Sequence, residues 1–305
     1  MTIGPDVPVQ SASGIHILIS GRPSETQLKA CGPNLQALVI PWAGLPPETR
    51  SLMRQYEHVS VHNLHHNAVP TAEMAVTLYL AAAKMLVPLD QSLRQGDWSP
   101  RYAKRNKTVL VHGKTAVILG YGAIGQHVAR ILHGLGMTVQ AVSRSGIAPS
   151  GTSTPCSVHH PVSLATLLTT ADALFVSVPL TDDTLGLIGQ AELELMPSTA
   201  IIVNVARGAV IDEAALYDAL ASKRILAAGL DVWYNYPKSE PERTNTFPSQ
   251  YPFHELDNVV LSPHRAGAVG ADESEQNRWK ALTDLLHAAA DGRPMPNQVD
   301  LELGY

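Results

Sequence analysis

Hydrophobic and polar positions along the chain follow two different periods, which indicates a protein built from both strands and helices. Short apolar runs separated by turn residues predict strands at Ile15–Ser20, Ala37–Pro41 and Val59–Leu64. An Ala- and Leu-rich pattern from Thr71 to Gln95 predicts one long helix, with Thr71 as its N-cap. We expect this helix to bridge two domains.

A second alternation of strands and helices begins after the polar stretch Trp98–Lys107. Helical patterns fill most of the gaps between its strands, and a last helix is expected over Asp272–Ala290. This order predicts an α/β fold, in which helices cover both faces of a parallel sheet. The strands are expected at Thr115–Leu119, Thr138–Val142, Ala173–Val178, Ala200–Val203, Ala227–Leu230 and Val259–Leu261.

Length and composition narrow the class of protein. The 305 residues exceed the usual size of one core, about 100–200 residues, so two domains are expected. A net charge of -5 argues against nucleic-acid binding, and no apolar run reaches the roughly 18–20 residues of a membrane span. Met1–Asp6 lacks the pattern of a signal peptide, and Cys31 and Cys156 form no metal-type or disulfide framework. We therefore expect a cytoplasmic protein with a small-molecule partner and no metal.

A glycine-rich turn joins a strand to a helix near residue 120. The apolar run Ala116–Leu119 leads into Gly120-Tyr121-Gly122-Ala123-Ile124-Gly125, and a helical pattern follows over His127–Leu135. Strand, G-x-G-x-x-G turn and helix in this order are typical of dinucleotide binding, because the pyrophosphate lies on the helix N-terminus. A tight strand-to-helix turn without a ligand is the alternative interpretation.

The next strand carries the residues that select the cofactor. NAD-preferring sites usually place a carboxylate about 20 positions after the glycines, where it binds the ribose hydroxyls. This chain has Ser143-Arg144-Ser145 at the end of that strand. A hydroxyl and a guanidinium suit a 2′-phosphate, so NADP(H) is predicted to be preferred, with NAD(H) also accepted.

Three further strand ends carry groups suited to redox chemistry. Arg207 follows the strand that ends at Val203, and its planar fork matches a substrate carboxylate. His264 lies in a turn after another strand and can exchange the proton that accompanies hydride transfer. Asp231 either accepts from a nicotinamide carboxamide or caps a loop. These patterns predict an oxidoreductase.

The combination of motifs resembles the D-isomer-specific 2-hydroxyacid dehydrogenases over nearly the whole chain. Val178-Pro179-Leu180-Thr181 with Thr184 is similar to the family's cofactor loop, and Asn204–Gly208 is similar to its carboxylate-binding loop. Ser262–Gly267 is similar to its acid/base loop, and Pro41–Gly44 to its substrate loop. The resemblance implies hydride transfer between a nicotinamide and C2 of a 2-oxo or 2-hydroxy acid of D configuration.

The resemblance also implies architecture and residue roles. Two Rossmann-like doubly wound domains are expected, with the dinucleotide-binding domain (96–277) inserted into a substrate domain built from both termini (1–95 and 278–305). Homodimers are common in the family. Arg207 and His264 would be catalytic, and the substrate would be bound by Trp42, Ala43, Gly44 and Arg207. Cofactor contacts would come from Thr71, Gly120, Gly122, Ala123, Ile124, Gly125, Ser143, Arg144, Val178, Pro179, Thr184, Val205, Ala206, Asp231, His264 and Gly267.

The chain departs from the family pattern at one catalytic position. Most members carry a Glu five residues after the Asp of the Asp-Val-(Phe/Trp) motif, and this chain has Tyr236 there. A phenol can orient His264 but offers no full negative charge to stabilise the imidazolium. Glu240 or Glu242, in the long loop that follows, is the alternative partner. The formate-dehydrogenase-like branch, with a neutral Gln at this position, is a less favoured interpretation.

Two functions remain open at this point. The first is a reductase of a small 2-oxo acid such as glyoxylate or hydroxypyruvate, as Ser143-Arg144 is similar to the NADPH-preferring glyoxylate/hydroxypyruvate reductases. The second is a dinucleotide-sensing binding protein of the same fold with weak or no turnover. Arg207 and His264 favour the enzyme, because a sensor needs neither. The substrate pocket would depend on Trp42, Leu45, His65, His66 and Tyr236.

Overall fold

The computed structural model describes residues 14–103, 108–149 and 156–305. Met1–Asp6, where no signal-peptide pattern was expected, and Lys104–Lys107 of the polar stretch lie outside the described residues. The chain divides into two compact units, Met1–Asn67 with Gly270–Tyr305, and Ala68–Val269. These boundaries differ from the expected breaks at 95 and 277, because the helix that begins at Ala68 packs on the sheet of the second unit.

The first unit contains a parallel sheet of three strands in the order β1-β2-β3. Its strands are β1 (Ile17–Ile19), β2 (Ala37–Ile40) and β3 (Ser60–Asn63), and its helices are α1 (Glu25–Cys31), α2 (Pro47–Met53) and, from the C-terminal segment, α10 (Asp272–Ala290). The side chains of β2 are fully buried. Leu282 and Leu285 of α10 pack against Val39 and complete part of this core.

The second unit contains a parallel sheet of seven strands in the order β10-β9-β8-β7-β4-β5-β6. Apolar clusters lie on both faces of this sheet, as expected when helices cover a parallel sheet. The predicted α/β fold with parallel sheets is confirmed. The strands are β4 (Thr115–Leu119), β5 (Thr138–Val142), β6 (Ser157–His159), β7 (Ala173–Val176), β8 (Ile201–Asn204), β9 (Ala227–Leu230) and β10 (Val259–Leu261). The helices are α3 (Ala68–Ala83), α4 (Leu86–Arg94), α5 (Ser99–Tyr102), α6 (Ala123–Gly134), α7 (Leu164–Leu168), α8 (Gln190–Leu195) and α9 (Glu213–Ala221).

The prediction of a single long helix from Thr71 to Gln95 was wrong. Two helices, α3 and α4, replace it and are bent by 65° relative to each other. Met85 has φ 52°, in the left-handed region, and Pro88 has no amide to donate to a helical carbonyl four residues earlier. Thr71 is therefore not an N-cap but a buried residue inside α3, which begins at Ala68.

Helix α3 lies close against the seven-stranded sheet. A Cβ added at Gly229 of β9 would lie 2.7 Å from Cβ of Leu78, so glycine permits the close approach. Among the described residues no single helix has the length and hydropathy of a membrane span; the bent pair α3 and α4 reaches both only when taken together. The cytoplasmic location stays a prediction.

Candidate active site

The carboxyl ends of six parallel strands in the second unit carry most of the candidate functional residues. Ligands of open parallel sheets bind at this edge, because side chains and amides from successive loops converge there. The segments concerned follow β4 (Gly120–Gly125), β5 (Ser143–Gly146), β7 (Ser177–Thr184), β8 (Val205–Gly208), β9 (Asp231–Tyr236) and β10 (Ser262–Gly267).

The three glycines of the first turn serve different geometric needs. Gly120 has φ +102°, and a Cβ there would lie 2.8 Å from the backbone of Ser177. A Cβ at Gly125 would lie 2.0 Å from the carbonyl oxygen of Gly120, whereas nothing lies within 4 Å of a Cβ at Gly122. Open space over Gly122 at the start of α6 leaves room for a pyrophosphate next to the amides of Ala123 and Ile124. These residues fit a dinucleotide.

The loop after β5 supplies the groups expected to meet the ribose. The backbone amide of Ser143 donates to the carbonyl of His159 on β6 at 3.0 Å, which fixes the start of the loop. The hydroxyls of Ser143 and Ser145 lie 3.4 Å apart, and Arg144 is exposed. No carboxylate occurs in Ser143–Gly146. The loop therefore offers hydroxyl and guanidinium groups, which suit an anionic ligand.

The loop after β7 is closed by Thr184. Its hydroxyl donates to the carbonyl of Pro179 at 2.6 Å and accepts from the amide of Thr181 at 2.8 Å. Ser177, at the start of this loop, donates to the carbonyl of Gly120 at 2.8 Å and joins it to the glycine turn. Thr184 thus holds the backbone of Val178 and Pro179 at the sheet edge.

Asn204 shapes the loop that carries Arg207. Its buried side-chain amide donates to the carbonyl of Arg207 at 2.9 Å and accepts from the amide of Ala206 at 3.0 Å. Nη1 of Arg207 donates to the carbonyl of Ala206 at 2.6 Å, and a Cβ at Gly208 would lie 2.4 Å from the carbonyl oxygen of Trp233. Partial burial lowers the pKa of Arg207, and Tyr236 opposes this shift. The guanidinium keeps further donors for a carboxylate.

Asp231 holds the histidine loop in place. Its buried carboxylate accepts from the Ser262 hydroxyl at 2.5 Å, from the Arg265 amide at 2.8 Å and from the Ala266 amide at 3.0 Å. His264 lies within this clamped turn with φ +56°, a strained conformation for a residue with a side chain. Of the two roles open for Asp231, the structure supports loop capping directly.

Tyr236 contacts His264 directly. Its hydroxyl lies 2.9 Å from Nδ1 of His264 and accepts from the backbone amide of Trp233 at 3.1 Å. Partial burial lowers the pKa of His264, the charge of Arg207 lowers it further, and Asp231 opposes both. A phenol has a usual pKa of about 10 and is therefore neutral near pH 7, and partial burial raises the pKa of Tyr236 above that value.

The alternative partners Glu240 and Glu242 are engaged elsewhere in their loop. Glu242 accepts from the amide of Lys238 at 2.9 Å and from the hydroxyl of Ser239 at 2.7 Å. Glu240 lies 3.4 Å from Arg243. The structure therefore places the phenol of Tyr236, and not a loop carboxylate, against the histidine.

The expected substrate loop lies in the first unit. The carbonyl of Ala43 accepts from Asn63 at 2.7 Å, and Trp42 packs against Gly21, where a Cβ would lie 1.9 Å from the indole. Gly44, Leu45, His65 and His66 belong to the same unit. Among the residues that the structure describes, no three His, Cys, Asp or Glu side chains are grouped as metal ligands.

Several positioning residues were not singled out from the sequence. Ser177 and Ser262 each bind a neighbouring loop, and Asn204 binds the backbone of its own loop. Trp233 donates its indole N–H to the carbonyl of Ser262 at 2.8 Å. All lie at or just after a strand end, the same signal that indicated Arg207 and Asp231. Their partners are 2 to 57 residues away in the chain, which the sequence pattern alone does not specify.

Comparisons with known proteins agree with this geometry. The family model described as D-isomer specific 2-hydroxyacid dehydrogenase, NAD binding domain, matches residues 76–266. The chain is 38% identical over 237 residues to a glyoxylate reductase from Aeropyrum pernix, covering 76% of this chain and 67% of the relative. It is 36% identical over 239 residues to a D-3-phosphoglycerate dehydrogenase from Archaeoglobus fulgidus, covering 77% of this chain and 41% of the relative. The chain thus spans less than half the length of some curated relatives that it matches.

A solved structure extends the similarity over nearly the whole chain. The D-isomer specific 2-hydroxyacid dehydrogenase from Xanthobacter autotrophicus Py2, in complex with NADPH and MES, has a TM-score of 0.76 at 25% identity. The match covers 97% of this chain and 87% of that one. The same fold in that protein therefore accommodates a bound dinucleotide.

Proposed function

We propose that this chain, which belongs to the D-isomer specific 2-hydroxyacid dehydrogenase family, reduces small 2-oxo acids to 2-hydroxy acids with a nicotinamide dinucleotide. The observation that carries the proposal is the convergence of Arg207 and a clamped, tyrosine-bound His264 at the sheet edge that bears the glycine turn. Glyoxylate and hydroxypyruvate are the substrates we favour, since one relative is a glyoxylate reductase.

The residues of the chain divide the reaction between them. Arg207 holds the substrate carboxylate through its fork of N–H donors. The bound nicotinamide supplies the hydride that adds to C2 of the 2-oxo acid. His264 delivers one proton to the C2 oxygen, so a 2-hydroxy acid and the oxidised dinucleotide are formed. Asp231 positions His264 by holding the Ser262 hydroxyl before it and the amides of Arg265 and Ala266 after it.

We further propose that NADPH is preferred over NADH. Ser143 and Arg144 provide hydroxyl and guanidinium groups and no carboxylate at the ribose-selecting position. The Xanthobacter relative was solved with NADPH, which supports the same cofactor here. The double substitution Ser143→Asp with Arg144→Pro tests this preference.

Domain roles and assembly are also proposals. We assign substrate binding to the unit Met1–Asn67 with Gly270–Tyr305, through Trp42–Gly44, and dinucleotide binding to Ala68–Val269. We propose a homodimer that covers an apolar stretch around α4 and α5. Its exposed large side chains are Leu86, Val87, Leu93, Trp98, Tyr102 and Leu110.

A sensor with weak turnover is the second candidate, and the Tyr236–His264 contact is the observation that favours it. A phenol stabilises imidazolium less than a carboxylate does, so proton delivery near neutral pH is less efficient. The retained geometry of Arg207 and His264 favours the enzyme.

Arg207 provides the test of the proposed function. We expect Arg207→Ala to lose at least about 100-fold in kcat/KM for glyoxylate, because a charged bidentate contact of about 3 kcal/mol is removed. Dissociation constants for NADPH should change little. Arg207→Lys should recover little activity, because a point charge lacks the planar fork. Arg130→Ala, on the exposed face of α6, is the matched control. Equal losses in NADPH affinity and turnover would contradict the assigned role.

A further inference from the structure

The hydroxyl of Tyr236 lies within hydrogen-bond distance of two neighbouring groups. The backbone amide of Trp233, 3.1 Å away, can only donate, so the phenol oxygen accepts there. Nδ1 of His264 lies 2.9 Å from the same oxygen. The phenol proton can point toward Nδ1, which then accepts, or toward solvent, in which case an Nδ1–H donates to the phenol oxygen. Only the first arrangement uses the phenol proton in a hydrogen bond, and it leaves a neutral imidazole accepting at Nδ1.

We propose that Tyr236 holds neutral His264 as the Nε2–H tautomer, so that the uncharged ring donates a hydrogen bond to the carbonyl oxygen of a bound 2-oxo acid. The proposal rests on the proposed function, since it takes that acid as the ligand. It makes Tyr236 a positioning residue that acts through His264. Substrate binding then needs no imidazolium, whereas proton transfer still does.

A carboxylate at position 236 would have the opposite effect on the neutral ring. A carboxylate only accepts, so it would place the imidazole proton on Nδ1 and leave a lone pair on Nε2. That lone pair would repel the carbonyl oxygen of a 2-oxo acid. In such a site, loss of the imidazolium abolishes the binding contact and the proton source together. In this chain the binding contact remains when the imidazolium is lost, whereas the proton source does not.

The Tyr236–His264 pair can still carry the imidazolium. When Nδ1 becomes protonated it donates to the phenol oxygen, which keeps a lone pair beside the Trp233 amide contact. The hydroxyl proton then turns toward solvent, since Tyr236 is 41% exposed. Besides Tyr236, the charged groups acting on His264 are Arg207, which disfavours the imidazolium, and Asp231, which favours it. Both act in the wild type and in position-236 variants alike.

Nitrogen NMR of the histidine ring tests the tautomer without relying on turnover. The full-length protein, labelled with ¹⁵N in its histidine rings, is saturated with NADPH and titrated with pH. The His264 signals are identified by their loss in His264→Gln. Above the pKa of His264 we expect Nε2–H in the wild type and Nδ1–H in Tyr236→Glu. In Tyr236→Phe the Nδ1 signal should move to that of a nitrogen without a hydrogen-bond donor. Nδ1–H in the neutral wild type would overturn the proposal.

A second measurement follows ligand binding with oxamate, a 2-oxo acid mimic that is not reduced. Its affinity for the NADPH-loaded protein is measured by calorimetry as the pH rises through the His264 pKa. We expect the wild-type Kd to level off once the ring is neutral. In Tyr236→Glu the Kd should weaken about tenfold per pH unit above the pKa of that variant, because binding then requires the proton. Wild-type affinity that weakens tenfold per unit without levelling would refute the proposal.

These outcomes are separable from failure of the proposed function. If the wild type has the Nε2–H tautomer but reduces no 2-oxo acid, the effect of Tyr236 on the tautomer of His264 is supported and the reductase function is refuted. If 2-oxo acids are reduced and neutral His264 is Nδ1–H, the enzymatic role stands and the inference falls.

Discussion

Replacing Asp231 with Asn removes a charge from the centre of the histidine loop while keeping the shape of the side chain. The carboxylate accepts from the Ser262 hydroxyl and the Arg265 amide through one oxygen, and from the Ala266 amide through the other. The Asn carbonyl can keep the first two contacts. Its NH₂ group then faces the Ala266 amide, donor against donor, at a site that is 1% exposed for residue 231.

The size of the effect follows from these three bonds. A hydrogen bond to a charged group contributes about 1.5–3 kcal/mol, against about 1 kcal/mol for a neutral pair, and a buried unsatisfied amide costs about 1–3 kcal/mol. Relief of the buried charge offsets part of this loss. We expect Asp231→Asn to lower the free energy of unfolding by about 2–4 kcal/mol. Because the loop carries His264 in a strained conformation, kcat should fall as well.

The pH profile gives an independent readout of the same substitution. Asp231 raises the pKa of His264, so its loss lowers that pKa. In the proposed mechanism reduction uses the imidazolium, so the rate should fall as pH rises through the pKa of His264. The falling limb of kcat for glyoxylate should therefore move to lower pH in Asp231→Asn.

Urea denaturation followed by tryptophan fluorescence measures the stability change, since Trp233 donates to Ser262 within the same loop. Asp218→Asn, at an exposed position of α9, removes the same charge and should stay within about 0.5 kcal/mol of the wild type. The reasoning is refuted if Asp231→Asn is as stable as that control and its pH limb does not move.

Three further outcomes are expected. Substituting Ser143→Asp with Arg144→Pro should lower the ratio of kcat/KM for NADPH to that for NADH, and an unchanged ratio would remove these residues from cofactor selection. Tyr236→Glu should raise the pKa of His264 and shift the falling limb of kcat to higher pH, whereas Tyr236→Phe leaves the limb nearly in place, as steady-state profiles can check. Tyr79→Phe should raise the free energy of unfolding by about 1 kcal/mol, because the fully buried hydroxyl has no hydrogen-bond partner among the described residues. Burial also raises the pKa of Tyr79 to about 12. A lower free energy of unfolding in urea denaturation would contradict this.

Strand ends were the part of the site that the sequence predicted best. The family assignment is confirmed, and the glycine turn, Arg207 and Asp231 lie at the carboxyl edge of the second sheet as expected. An apolar run that ends in Gly, Asn or Asp predicts a buried parallel strand followed by a loop. The local sequence pattern is therefore enough to place residues at these strand ends. β6 was not predicted, because a strand of three residues is too short to show an alternation of apolar and polar positions.

Features that depend on tertiary contacts were harder to predict. The break between α3 and α4 was missed because the Ala and Leu pattern runs through Met85, although Pro88 was a local signal. Whether Tyr236 or a glutamate reaches His264 depends on how a loop folds over 28 residues of separation. The sequence showed that Tyr236 replaces the usual Glu, but it could not show which groups contact the Tyr236 hydroxyl.

The central claim is that a hydride passes from the nicotinamide to C2 of a small 2-oxo acid. NADPH that carries deuterium at the transferable C4 position is incubated with the protein and glyoxylate or hydroxypyruvate, and the product is analysed by mass spectrometry and proton NMR. The account predicts glycolate or glycerate with one deuterium on C2, formed in step with NADPH oxidation and lost in Arg207→Ala. A protein that binds NADPH but leaves these acids unlabelled over prolonged incubation would contradict the account.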